Sequence, residues 1–530
     1  MKKIYINGTI LTMDENNPEV EALCLENGRI THLGKSSDVL NLVQEGDEVI
    51  DLSGKTMMPG FIDPHSHFVG FANSLSQCDL SEAKSFSDII SLMKKFITDE
   101  KIPEGQYVYG SHYDHNFFEE KRHPDKFVLD QISTKHPILI THASSHMGVC
   151  NSLALELHHI DASTQDIEGG KYGRVSGSSE PNGYMEENVY IEFQKSCPMI
   201  PVERLFSLMQ KAQDIYASYG ITTIQDGMVN EQLFQLLEYA SDNHLLKQDV
   251  VAFLDLAHCQ DLMHQKDNYT KDYIGHLKIG GYKTFLDGSP QGRTAWLTFP
   301  YKGSEDYYGY PILTDEVLYN QILVALKDKK QVLAHCNGDG AAEQYITQFE
   351  KVLADYPELE SCRPVMIHAQ LCRKDQLKRM PNIQMMPSFF VAHTYYWGDI
   401  HIENFGYEVA SNISAAKTAE RLHIPYTFHQ DTPVLRPDMM KTVWCACNRI
   451  TQNGVKLNQD ECLSIQEALK AITIYPAYQY FEENEKGMLR VGYKADLVIL
   501  DSNPLLADVK KVDQVKVLET IKEGQTIYHC

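Results

Sequence analysis

Met57-Met58-Pro59-Gly60-Phe61-Ile62-Asp63-Pro64-His65-Ser66-His67-Phe68 is an apolar run that ends in two histidines one residue apart. Its residue types predict a strand. A strand repeats every two residues, so the side chains of His65 and His67 are expected to leave one face together. Two neutral imidazoles at a strand's end can bind a single metal ion. A bare His-x-His also describes two unrelated loop histidines. The strand with Pro59-Gly60 before the pair, and further candidate ligands downstream, favour the metal reading.

Working outward, the pattern becomes regular after Pro201. Helices are expected over 202–219, 230–243, 315–327, 340–356, 373–380 and 414–422. The first of them stops at Gly220, a left-handed C-terminal signal. Strands are expected over 221–226, 250–256, 279–286, 331–335, 364–368, 383–387 and 426–431. With the strand of His65, eight short strands alternate with helices, the pattern of a (β/α)8 TIM barrel in the α/β class. Residues 1–57 read instead as short strands, with turns at Asn7-Gly8 and Asn27-Gly28. The tail reads as strands over 492–501 and 515–522. These terminal segments, 1–57 and 486–530, are expected to pair into one small β-sandwich flanking a barrel over 58–485. The stretch 68–201 reads as a long irregular insertion after strand one that could cover a site. It holds one clear amphipathic helix, 85–98, and the cluster His112-Tyr113-Asp114-His115-Asn116-Phe117-Phe118.

Composition narrows the function. A formal net charge of −24, from 48 Lys+Arg against 72 Asp+Glu, disfavours nucleic acid and anionic membranes as partners. The N-terminus has too few apolar residues after Lys2-Lys3 for a signal peptide, and no apolar run is long enough to cross a bilayer. Twelve cysteines lie scattered without Cys-x-x-Cys spacing and are expected to be reduced and buried. These features point to a cytoplasmic protein acting on a small molecule, with a homodimer as the prior for its assembly.

Barrel enzymes carry their chemistry at the C-terminal ends of the strands. There stand His65 and His67 on strand one, Lys283 on strand four and His335 on strand five. His368 ends strand six, and Asp431 ends strand eight. Two divalent ions close together need a bridging anion and about three protein ligands each. A lysine amine would repel them, but reaction with carbon dioxide turns it into a carbamate with two oxygens, an N6-carboxylysine. Bound metal lowers the pKa of water to near neutral, and Asp431 can accept the proton of the attacking water and pass it to the leaving group.

The chain resembles the amidohydrolase superfamily, and within it the YtcJ-like, amidohydrolase-3 group, over nearly its whole length. The segments that carry the resemblance are 59–67, 282–289 with Gly292-Arg293-Thr294-Ala295, 334–339, 367–370, Asp431-Thr432-Pro433, and the closing 486–489 and 492–498. The insertion contributes Asp114-His115, Leu129-Asp130, 137–139 and 146–151. The resemblance implies His65 and His67 on one ion, carboxylated Lys283 bridging, and His335 and His368 on the second. Asp431 would be both ligand and proton shuttle, and His393 a substrate contact. Relatives often have Gly-Ser where this chain has His429-Gln430, and a small residue at Pro290, which bears on substrate shape. The group includes deformylases of N-substituted formamides, so the expected activity is metal-dependent hydrolysis of an amide-type carbon–nitrogen bond. A mononuclear deaminase and a non-enzymatic binding protein on the same scaffold are the alternatives. Nitrogen and oxygen ligands suit two zinc ions, and also manganese or iron.

Overall fold

The computed structural model describes residues 2–142, 147–167, 169–198 and 200–530. The apolar run that opens the barrel forms two strands in two sheets. Thr56–Pro59 pairs with Thr9–Leu11 and Leu497–Leu500, whereas Phe61–Ile62 pairs with Ile221–Val229. The switch falls at Gly60, where a Cβ would stand 2.5 Å from Thr222 Cγ2. Only glycine admits so close an approach. The Gly60 N–H donates to Asp496 O in the terminal sheet, and the Phe61 N–H to Gly220 O in the barrel.

Eight parallel strands make the barrel sheet. Numbered within it, they are β1 Phe61–Ile62, β2 Ile221–Val229, β3 Asp249–Asp255, β4 Leu277–Phe285, β5 Gln331–Cys336, β6 Val365–His368, β7 Met386–Phe389 and β8 Thr427–Phe428. They lie in sequence order, each bonded to the next. Intervening helices start from side-chain caps, as at Asn230, which accepts from the Leu233 N–H, and Thr314, which accepts from the Val317 N–H. Residues 471–472 run along the seam between β8 and β1. The Phe428 N–H donates to Ala471 O and the Ile62 N–H to Ile472 O. The sheet is thus curled, of (β/α)8 type. Ile62, Val251, Phe253, Leu333, Val365, Ile367 and Met386 pack together inside it with Ala477 and Tyr480.

The terminal segments form two sheets. One has the order Arg29–Gly34, Ala22–Glu26, Lys3–Ile6, Glu48–Asp51. The other runs Gln525–His529, Val517–Lys522, Leu497–Leu500, Thr56–Pro59, Thr9–Leu11, Glu19–Val20. Apolar residues of both, among them Tyr5, Leu23, Ile10, Met57 and Leu497, share one core cluster.

The chain divides into two compact units, 1–71 with 209–530, and 72–208. The second unit corrects the expectation of an irregular insertion. It is built on a six-stranded mixed sheet of order Gly170–Arg174, Pro181–Glu187, Met147–Cys150, Ile138–His142, Val108–Tyr113, Gln77–Asp79. The expected helix is present as Phe86–Asp99, capped by the Ser85 side chain. Phe86, Ile89 and Met93 of that helix pack into a core with Val108, Ile138 and Val149 of the sheet. His146, quoted for the family resemblance, lies outside the described residues.

Two barrel boundaries also differ. Strand seven starts at Met386, three residues later than expected, because Pro381 opens a 3-10 turn over Met380–Ile383 that leaves Gln384 left-handed. Strand eight stops at Phe428, so Asp431 lies three residues beyond it. All twelve cysteines are free. Cys362 and Cys462 are half-buried and Cys530 is exposed, unlike the other nine. No helix among the described residues is long and apolar enough to cross a membrane.

Candidate metal centre

His65 and His67 do not ride on a strand face. β1 ends at Ile62, and the chain bends before the pair, with the His65 N–H donating to Asp63 Oδ1 (3.2 Å). What aims the two rings is β2. Gln225 Oε1 lies 2.6 Å from His65 Nδ1, and Gly227 O lies 3.0 Å from His67 Nδ1. The Gln225 amide is oriented in turn, because its nitrogen donates to Pro64 O and to Tyr480 Oη. Both acceptors are carbonyl oxygens, so each Nδ1 carries the ring's proton and each Nε2 presents a lone pair. A Cβ on Gly227 would fall 2.9 Å from His65 Cε1, so the ring needs glycine there.

The two lone pairs meet at one atom. Asp431 Oδ1 is 3.2 Å from His65 Nε2 and 3.3 Å from His67 Nε2. It is buried and has no hydrogen-bond partner. Three electron-rich atoms facing one another without a proton among them repel, unless a cation lies between them. The donor set therefore fits a divalent metal. Burial would raise the Asp431 pKa, but the facing histidines hold it well below the usual carboxylate range. Burial, with Lys283 nearby, pushes His65 down to about 4 and keeps it neutral. His67, whose side chain is 38% exposed, sits at the solvent side of the cluster. Burial opposes its protonation, yet the Asp431 carboxylate moves its pKa above the ordinary value.

A second pair of donors stands beside the first. His335 Nδ1 and His368 Nε2 are 3.0 Å apart, and His368 Nε2 is 4.0 Å from Asp431 Oδ2. The far nitrogens are occupied. His335 Nε2 lies 3.2 Å from Gly288 O, and His368 Nδ1 lies 3.1 Å from His429 Nε2. Gly288 O is positioned by Asp287, whose buried carboxylate accepts from the N–H groups of Trp296, Asn337 and Gly338. Lys283, 2% exposed, points into the same cluster with Nζ 3.4 Å from His65 Nε2. Burial pushes its pKa down to about 7, against the pull of Asp431. His368 and Asp431 both hold positive φ, +71° and +53°. Such conformations are uncommon outside glycine and gather at functional sites.

The six residues named from the sequence thus come together. His393 is placed one ring layer away. It is buried, with Nδ1 3.1 Å from His401 Nε2, and its ring packs on Phe390, which in turn packs on His429. Asp399 bonds Thr451 Oγ1 (2.8 Å). Sequence reasoning missed Gln225, Gly227, Ser388 and His429. One signal was available: Thr222, Thr223, Gln225 and Asp226 are polar in a strand otherwise read as core. His429 is fully buried, and its Nδ1 is 2.9 Å from Ser388 Oγ.

A family model described as "Amidohydrolase family" matches residues 48–528. YtcJ of Bacillus subtilis (strain 168) is 26% identical over 540 residues, covering 100% of this chain and 99% of that protein. The N-substituted formamide deformylase of Arthrobacter pascens is 24% identical over 553 residues, covering 99% of this chain and 98% of the enzyme. Among solved structures, an uncharacterized metal-dependent hydrolase from Pyrococcus horikoshii OT3 superposes with a TM-score of 0.79 at 26% identity. That match covers 96% of this chain and 99% of the other.

Proposed function

The chain belongs to the amidohydrolase family, a family of enzymes acting on carbon–nitrogen bonds, and from that premise we propose that it hydrolyses an amide-type bond in a small molecule, an N-substituted formamide being the first class to test. The metal ligands in this reading are His65, His67, Lys283, His335, His368 and Asp431, with His393 lining the substrate side. The observation that carries it is the proton-free meeting of His65 Nε2, His67 Nε2 and Asp431 Oδ1. Divalent ions held by this set, two zinc ions in the first instance, supply Lewis acidity toward a carbonyl oxygen and lower the pKa of a water molecule.

The chain's own residues do the rest. His335 and His368 offer only two donors to the second ion, and Lys283 is the group within reach that can complete it. Its depressed pKa leaves a large neutral fraction at neutral pH, and a neutral amine adds to carbon dioxide with loss of one proton. The resulting carbamate bridges. Asp431 accepts a proton from water as the water oxygen attacks the carbonyl carbon. It delivers that proton to the nitrogen as the C–N bond breaks, giving a carboxylic acid and an amine. Gln225, Gly227 O, Gly288 O and His429 fix which nitrogen each histidine offers.

The same reading takes the two terminal sheets as one β-sandwich built from 1–57 and 486–530 around a barrel over 58–485, and the enzyme as a cytoplasmic homodimer. Its test is a screen of zinc-reconstituted enzyme, with metal content verified, against N-formyl, N-acyl and cyclic amides, read as amine release or ring opening. Turnover of a formamide supports the substrate class. A fully metallated enzyme that hydrolyses none of these amides overturns it.

A further inference from the structure

The histidine cluster that begins at His112 plays no part in the centre above. Its residues lie at the C-terminal ends of two adjacent parallel strands of the second unit, Val108–Tyr113 and Ile138–His142. The ladder pairs Tyr113 with His142, so Asp114 and His115, which follow Tyr113, fall beside the His142 side chain. His115 Nδ1 is 3.3 Å from His142 Nε2. Asp114 Oδ1 is 3.6 Å from that same Nε2 and 3.9 Å from that same Nδ1. The carboxylate oxygen is thus beyond hydrogen-bond distance of both rings, and a simple imidazole pair gives no reason for it to face them.

A shared cation does. The point equidistant from corners 3.3, 3.6 and 3.9 Å apart lies about 2.1 Å from each, inside the range of about 2.0–2.2 Å for zinc bound by histidine and carboxylate. We propose that Asp114, His115 and His142 form a second divalent-cation site, of the zinc type, independent of the barrel centre. His115 is held in place by the ring of His123, whose centroid is 3.8 Å from its own, and His123 is anchored through Nδ1 to Tyr113 Oη at 3.1 Å. Burial holds His142 and His123 below the ordinary imidazole range, so both are neutral at pH 7. Three protein donors leave a coordination position for water or an oxygen ligand, and the ion ties two strand ends together.

Metal stoichiometry of the full chain tests this. After chelation and reloading with Zn2+, the wild-type protein is expected to hold one equivalent more than His142→Ala. Asp114→Asn should weaken that equivalent by about tenfold or more. A His65→Ala/His67→Ala variant should retain it, which separates this site from the barrel centre. If His142→Ala fails to fold by circular dichroism, Asp114→Asn and His115→Gln carry the comparison. Wild-type stoichiometry and affinity in the folded variants overturn the proposal.

Discussion

Lys283 shows how much one side chain can decide. Its amine is buried, faces imidazoles, and has a pKa lowered to about 7. Below that value it carries a charge that repels metal; above it the neutral amine can be carboxylated. Reconstitution of the stripped enzyme at fixed dissolved carbon dioxide is therefore expected to improve from pH 6 to pH 8, read as metal equivalents retained. Lys283→Ala should reduce kcat/KM by more than the roughly 10–100-fold that loss of an outer partner costs, with partial recovery on adding a short carboxylate. His429 is such an outer partner. It links His368 Nδ1 to Ser388 Oγ and leaves His368 Nε2 to the metal. His429→Ala is expected to weaken binding of the ion at His368 by about 10–100-fold, measured by chelator competition. The ligand types were legible because each stands at the end of a readable strand. The outer partners were not: Gln225 meets His65 across 160 residues and His429 meets His368 across 61, and no local period marks either contact.

Among elements, the run from Thr56 to Ile62 is the most consequential. It feeds two sheets through Gly60, which has no room for a Cβ beside Thr222. Gly60→Ala is expected to cost about 1–3 kcal/mol by overpacking, seen as a lower urea midpoint with an unchanged m-value. The regular half of the barrel was legible because helices such as Asp315–Lys327 carry a cap and a clear apolar face. The insertion's sheet was not. Gln77–Asp79, Val108–Tyr113 and Ile138–His142 pair in parallel across tens of residues, so no hairpin turn announces them. Gly110 and His112 also interrupt the one strand that alternates. β8 escaped for another reason: its partner along the seam is the chain at 471–472, not a strand.

At the scale of the whole molecule, the first unit is tied together by buried charge. Asp249, at the start of β3, accepts from Lys486 (2.7 Å) and from Lys522 of the terminal strand Val517–Lys522 (2.6 Å). Asp249→Asn leaves both lysines short of a counter-charge and is expected to destabilise by about 3 kcal/mol. Burial favours the protonated acid, but Lys486 and Lys522 hold the Asp249 pKa well below its ordinary value. Its contribution is then complete above the usual carboxylate range and is lost as pH falls through the lower folded value. Urea midpoints of the wild type should decline below about pH 4, with that component missing in Asp249→Asn. The sequence by itself determined the alternating strands and helices, the terminal β segments and the six candidate ligands. Each of these is written in a local period or at the end of one. Only the tertiary structure decided which nitrogen of each histidine faces the cluster, that the insertion is a folded sheet, and that Asp114, His115 and His142 share one point. Those are distances between residues far apart in the chain or around a turn, and distance is set by packing, which no stretch of sequence carries alone.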